Sequence, residues 1–220
     1  MLDPYTSKVR ALDVVIGQLD GELRKAGYGG GTLGNFVTDG MRAEGRAKLG
    51  IPIDLAVSNS GGLRKNAFTP GDLRVRDIYE LLPFENALIE VELTGAQVLR
   101  VLQIALENRE PQSGARIRYK VNEETKKAEM ISAVLIDPGG RDRPIDPSAK
   151  YRIITIDYLL SVAGGKFAIL QESKVQKPLG LTIRDALIDY IKSETAAGRT
   201  IKARLDGRFR LEGPGGVREP

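Results

Sequence analysis

Histidine is absent from this chain, and so is cysteine. The first absence excludes more. Imidazole is the commonest ligand for transition metals and the side chain that most readily exchanges protons near neutral pH. Without it, a zinc hydrolase site, a Ser-His-Asp triad and a Cys-His dyad are all ruled out within the chain. The lack of cysteine removes disulfides and thiolate metal sites, and it is compatible with an oxidising or a reducing compartment. Carboxylates remain available to hold magnesium or calcium or to act as an acid–base pair, but no Asp/Glu cluster has a ligand-like spacing. The chain is therefore expected to perform no hydrolysis by itself and to hold no metal.

Long apolar runs are missing too: no stretch approaches the ~18 consecutive apolar residues of a membrane helix. Met1-Leu2-Asp3-Pro4 supplies neither a basic segment nor an apolar core, so no signal peptide is expected. Charge of one sign is scarce. The formal net charge is +4, and from Lys192 to Pro220 seven basic residues face four acidic ones. A nucleic-acid binder shows a denser basic stripe with aromatic platforms, so the tail reads as a solvated surface, and nucleic-acid binding is the weakest functional reading.

What is present is ordinary globular material. With 41% apolar and 28% charged residues in 220, the chain is not disordered and can bury a core without staples. Val14 to Ile16, ended by Gly17, reads as a first strand, and Gly27 to Gly31 as a flexible loop. Leu33 to Leu49 places Leu33, Phe36, Val37 and Met41 on one helical face, with Thr32 as candidate N-cap. Ile53 to Val57 reads as a buried strand. Val75, Ile78, Tyr79 and Leu82 keep helical spacing until Pro83. Ile89, Val91 and Leu93 alternate with Glu90 and Glu92, which predicts a half-exposed strand. Thr94 and Gln97 form a capping box for a helix running to about Asn108. Residues 115–121 alternate, a polar turn follows, and 130–136 return as a strand, a hairpin signal. A strand over Tyr151 to Ile156, an amphipathic helix over Thr182 to Thr195 with Asp185 in its first turn, and a short strand over Gly207 to Leu211 complete the order. Strict βαβ alternation is absent and hairpins occur. The prediction is an α+β fold: one domain over 1–220, with a mixed β-sheet and hairpins packed against several amphipathic helices, a core spanning about 13–211, and a frayed 213–220.

Four segments put glycine or an aromatic where a core would not need it. Asn59-Ser-Gly-Gly-Leu-Arg64 follows a buried strand; Gly62 and its neighbour let a ligand approach the backbone. Arg64 offers a forked, permanently charged donor for phosphate, and Asn59 an amide matched to a polar ring or sugar edge. A tight turn with a solvated arginine is an equally simple reading of the same residues. Phe84, in Leu81-Leu-Pro-Phe-Glu-Asn86, is either a stacking ring or a hydrophobic plug. Tyr158 stands at a strand end before Ala163-Gly-Gly-Lys-Phe167, placed to stack on a flat ligand or to cap the core. Ser113-Gly114 by itself is a turn.

Taken together, these segments resemble the carboxy-terminal domain of the 5′-nucleotidase and UDP-sugar hydrolase family. The resemblance rests on Leu33-Gly-Asn-Phe-Val-Thr-Asp-Gly-Met-Arg42, Asn59-Ser-Gly-Gly-Leu-Arg64, Leu82-Pro-Phe-Glu-Asn86, Val91-Glu-Leu-Thr-Gly95, Tyr151-Arg152 and Asp206-Gly-Arg208, in matching order over roughly Asp13 to Leu211. The resemblance implies a nucleotide- or nucleoside-binding domain working with a separate metallophosphatase domain or subunit that holds two divalent metals, in a periplasmic or secreted protein. Carried over by motif, Phe84 and Tyr158 sandwich the base, Asn59 and Arg64 make polar contacts, and Gly114 lines the base pocket. The alternative is a stand-alone binding module of the same fold whose ligand has changed or been lost. Two departures bear on that choice. The arginine expected shortly before Leu33-Gly-Asn35 is replaced by Ala26 to Gly31, and the aspartate expected after the second aromatic, a ribose ligand, is replaced by Lys166.

Overall fold

The computed structural model describes residues 10–162, 164–213 and 216–218. The first strand, β1 (Val15–Asp20), begins one residue later than its β-branched run suggests and continues through Gly17. Gly17 does not end it. The missing side chain is what lets a helix lie against the strand, since a Cβ there would fall 2.5 Å from Ile191. After β2 (Leu23–Arg24) and a 3-10 turn over Tyr28–Gly30 comes the long helix α1 (Gly31–Leu49). Its N-cap is Gly30 rather than Thr32. The Thr32 hydroxyl instead accepts the Arg24 amide at 2.8 Å and ties the helix start to β2. Leu33, Phe36, Val37 and Met41 are buried as their spacing predicts.

Next follow β3 (Leu55–Val57), a 3-10 turn over Ser60–Gly62, β4 (Ala67–Phe68), β5 (Gly71–Arg74) and α2 (Val75–Leu81). Strand β6 (Ala87–Thr94) leads into α3 (Gly95–Glu107) through the expected capping box: Thr94 N–H donates to Gln97 Oε1 at 2.9 Å. Strands β7 (Gln112–Ser113), β8 (Ala115–Val121), β9 (Ala128–Ile136), β10 (Asp142–Arg143) and β11 (Lys150–Ile156) precede the short helix α4 (Asp157–Ser161). The chain continues with β12 (Gln176–Thr182), α5 (Ile183–Ala196), β13 (Ile201–Lys202), β14 (Phe209–Gly213) and β15 (Gly216–Arg218). Part of the stretch expected to fray is thus paired, because Gly213 faces Gly216 and β15 folds back antiparallel along β14. Residues 214, 215, 219 and 220 lie outside the described residues.

The fold is α+β and forms one domain, as its element order predicts. A central mixed sheet runs β12-β6-β11-β3-β7, a second five-stranded sheet β10-β9-β8-β14-β15, and smaller sheets are β13-β1-β5 and β2-β4. The Glu90 position of strand β6 is buried, so the expectation of a half-exposed strand fails there. Glu90 is buried and meets its charge requirement with Arg152 at 3.4 Å. Helix α1 packs on β3 and β11 and crosses α5. Two glycines make this closeness possible: a Cβ at Gly40 would sit 2.7 Å from Leu187, and one at Gly45 2.5 Å from Ile154. Parallel strands β3 and β11 end at the same edge of the central sheet, where antiparallel β6 begins, since Ile154 pairs with Ala56 and Ile156 with Leu88. The carboxyl end of neighbouring parallel strands is where open sheets gather ligands.

Candidate functional site

Three loops emerge at that edge. The one after β3 carries Asn59 and Gly62, the one after β11 carries Tyr158 on α4, and the one before β6 carries Phe84. Phe84 and Tyr158 remain 50% and 48% exposed, so neither is a core plug. They border two adjoining clefts that share Asn59. Phe84 lines a narrow one with Gly62 and Asn86. Tyr158 lines a roomier one of about 390 Å³ with Ser60, Glu110, Val162 and Lys166. Asn59 Oδ1 is buried without a hydrogen-bond partner among the described residues. It lies against Gly62, where a Cβ would come within 3.2 Å of it. Arg64 is exposed, its guanidinium carbon 6.0 Å from the centre of the Phe84 ring.

Each wall is fastened from behind. Arg184, 8% exposed, donates from Nε to Leu82 O at 3.0 Å and from Nη2 to Pro83 O at 3.2 Å, with its guanidinium 4.3 Å over the Tyr79 ring. The preceding amide in the chain, Ile183 N–H, donates to Asn86 O at 2.9 Å. The start of α5 therefore grips the loop on both sides of Phe84. On the other wall, Glu110 is buried and its Oε2 accepts Ser60 N–H at 2.6 Å, holding the turn that presents Asn59. Glu110 points inward because α3 ends in a Schellman motif: Glu110 N–H reaches Ala105 O at 2.8 Å and Arg109 N–H reaches Leu106 O at 3.2 Å. The left-handed position of that motif is occupied by Arg109, at φ 56°, in place of the usual glycine.

Gly114 is not brought to this cleft. Antiparallel pairing puts Ser113 opposite Ala56, so Gly114 lies toward the start of β3, away from Asn59. Its need for glycine is local: φ is 111°, and a Cβ would fall 2.2 Å from Asp54 O. From the same connection the structure delivers Glu110 instead, which carries no motif in the sequence. Arg184 left a fainter signal, as a cation in the first turn of a helix opposes the helix dipole and so needs a reason to be there.

A second polar region lies between α1, the end of α5 and the segment before β14, around a trough of about 610 Å³. At its floor Arg208, 7% exposed, donates to both oxygens of Asp39 at 2.7 and 2.8 Å, to Asp206 at 2.8 and 2.9 Å, and to Gln112 O at 2.9 Å. Ser113 Oγ adds a bond to Asp39 at 2.6 Å. Burial works against the Arg208 charge, but the two carboxylates more than offset it and raise its pKa. Asp206 is likewise pushed up by burial and pulled below its ordinary range by Arg208. Nearby, burial first, then Asp39 and Glu194, push the Tyr190 hydroxyl up to about 12. Among the described residues, no group of three or more Asp or Glu side chains is arranged to hold a metal ion, and no helix is long and apolar enough to cross a membrane.

Residues 11–172 match the family model described as the 5′-nucleotidase, C-terminal domain. The chain is 27% identical over 214 residues to the trifunctional nucleotide phosphoesterase protein YfkN of Bacillus subtilis, an alignment covering 94% of this chain and 14% of that protein. It is 34% identical over 125 residues to the NAD 5′-nucleotidase of Haemophilus influenzae, covering 52% of this chain and 20% of that one. The crystal structure of a 5′-nucleotidase precursor from Thermus thermophilus superposes with a TM-score of 0.76 at 25% identity, over 96% of this chain and 42% of that one. The chain thus spans less than half the length of each of these proteins.

Proposed function

The chain belongs to the 5′-nucleotidase C-terminal domain family, and from that membership we propose that it grips a nucleotide and presents its phosphate to a separate metallophosphatase domain or subunit. The base sits between Phe84 and Tyr158. Asn59, Gly62 and Arg64 meet its polar edge, sugar or phosphate. The observation that carries this reading is the pair of half-exposed rings at one sheet edge, on clefts joined by Asn59. A flat base stacked on such half-exposed rings gains about 1–3 kcal/mol per stacked ring.

The described residues do not fit the two metals that the family resemblance implies, because they provide no metal cluster. In this proposal the present chain supplies orientation, and the partner supplies Lewis-acid activation and the attacking water. Fixing the substrate by its base and sugar holds the phosphate at a set distance from the metals, which is where a non-reacting part of the substrate contributes to rate.

A thermal-shift titration with AMP, UMP and UDP-sugars tests the reading. A ligand at one hundred times its Kd stabilises by about 2.7 kcal/mol, which is several degrees for a domain of this size. Phe84→Ala and Tyr158→Ala each cut the shift sharply, by the loss of about 1–3 kcal/mol of stacking. If both variants keep it, the rings are not the site; if the wild type shows none, the chain is a module whose ligand is no longer a nucleotide.

A further inference from the structure

The Tyr158 cleft contains one feature that the stacking pair does not explain, a cation held in place by a buried acid. Lys166 Nζ lies 3.1 Å from Glu110 Oε1; the lysine side chain is 59% exposed, the glutamate 4%. Lysine has a long flexible stem, and in water its ammonium would sample many positions. Here the carboxylate fixes it against the cleft wall, and only one of its three N–H groups is needed for that bond.

The acceptors around it are meanwhile unreachable. Glu110 Oε2 is occupied by the Ser60 amide, and the whole side chain lies beneath the surface. Asn59 Oδ1 is sealed against Gly62. What remains among the described side chains of this cleft is the Lys166 ammonium, the Asn59 amide donors and the hydroxyls of Ser60 and Tyr158, which can donate as well as accept. A free sugar diol is held best by a carboxylate, and the one carboxylate among the described residues of this cleft is already engaged by the Ser60 amide and Lys166. An anionic oxygen needs donors. The cleft is built for the second. Arg64 stands beside Phe84 as Lys166 shares the cleft of Tyr158, so a cation lies near each ring.

We propose that this chain prefers nucleotides carrying two separated anionic groups, such as nucleoside 3′,5′-bisphosphates, with Lys166 held by Glu110 as the residue that reads the second group. The proposal rests on the nucleotide reading above and names its substrate class. Because Lys166 is largely solvated and already faces one carboxylate, its contribution is modest, roughly fivefold in affinity at low ionic strength and less in added salt.

Calorimetric titration of the purified chain with adenosine, AMP and adenosine 3′,5′-bisphosphate decides the matter. The expected result is a bisphosphate affinity about fivefold above that of AMP, with the ratio falling to about one in Lys166→Met and returning in Lys166→Arg. Removing Lys166 alone strands a buried carboxylate, so the double variant Glu110→Gln/Lys166→Met, which keeps an acceptor for the Ser60 amide, provides the same test in a chain without that burden. Equal affinities for AMP and the bisphosphate in the wild type, or a ratio that survives both variants, overturn the proposal. Adenosine binding that depends on Phe84 and Tyr158 would in that case leave the nucleotide reading standing. If none of the three ligands binds, the nucleotide reading fails and this inference with it.

Discussion

Two polar regions of this molecule are built from similar residues and behave oppositely. Around Arg208, a buried guanidinium, two carboxylates, a hydroxyl and a carbonyl satisfy one another at 2.6–2.9 Å. Around Asn59, two rings stand half in solvent and a lysine has donors to spare. The trough over Arg208 is the more spacious of the two, yet Arg208, Asp39 and Asp206 on its floor are committed to one another and join the segment before β14 to helix α1. Uncommitted valences, more than cavity volume, mark the receptive region.

Substitutions in each region sharpen this contrast. The largest effect is expected from Arg208→Met, which leaves Asp39 and Asp206 facing each other without their cation. Breaking a buried pair costs about 3–5 kcal/mol, and since both carboxylates keep water contact, a loss of about 3 kcal/mol in urea unfolding is the expected value. Nucleotide affinity of the folded fraction should not change. Arg184→Met comes next. It removes the fork over Leu82 and Pro83, for about 2 kcal/mol of stability, and weakens nucleotide binding as well. In a Phe84→Ala background the binding loss vanishes while the stability loss stays, which a purely structural role for Arg184 would not give.

Phe84→Ala and Tyr158→Ala reverse the pattern of Arg208→Met. Each should leave urea stability within about 0.5 kcal/mol, as exposed positions do, while costing about 1–3 kcal/mol of nucleotide affinity. A large stability loss in either would mean the ring belongs to the core. The smallest effect is expected for Arg109→Gly, which relieves a left-handed residue that costs about 1 kcal/mol. It gives up the contact of the guanidinium with Tyr28, 5.0 Å away, so a net gain of under about 1 kcal/mol in unfolding free energy is predicted.

The Arg208 region also sets a pH dependence. Burial raises the folded pKa of Asp206, but Arg208 outweighs that effect and holds it below the unfolded value. Such a group contributes stability that is fully present above the unfolded pKa, about 4, and is lost as pH falls through the folded one. Urea stability should therefore decline below about pH 4, and Asp206→Asn should flatten that decline.

Much of the frame was legible in the sequence because local signals and tertiary needs agreed. The alternation over 115–121, with the return strand over 130–136, became the hairpin of β8 and β9. The capping box of Thr94 with Gln97 sits where its helix begins, and Asp185 stands in the first turn of the later helix, where it also closes a box with Thr182. The failures share one cause, long-range packing overriding a local pattern. Glu90 alternates as if exposed but is buried, with Arg152 as its counter-charge. Thr32 has the chemistry of a cap but is claimed by β2. At the site, the glycine- and aromatic-bearing loops were visible and three of them meet at one sheet edge. Gly114 looked like a fourth partner and serves its own backbone instead. Glu110 was invisible, since its inward turn depends on an arginine in a conformation that sequence reading reserves for glycine.

The central claim concerns where the base sits, and intermolecular nuclear Overhauser effects measure that most directly. With five Phe and seven Tyr residues in the chain, the rings of Phe84 and Tyr158 can be assigned by single substitution. Adding AMP should give contacts from the base H2 and H8 protons to both rings. Contacts to neither ring, or to Tyr190 beside the Arg208 trough, would contradict the account.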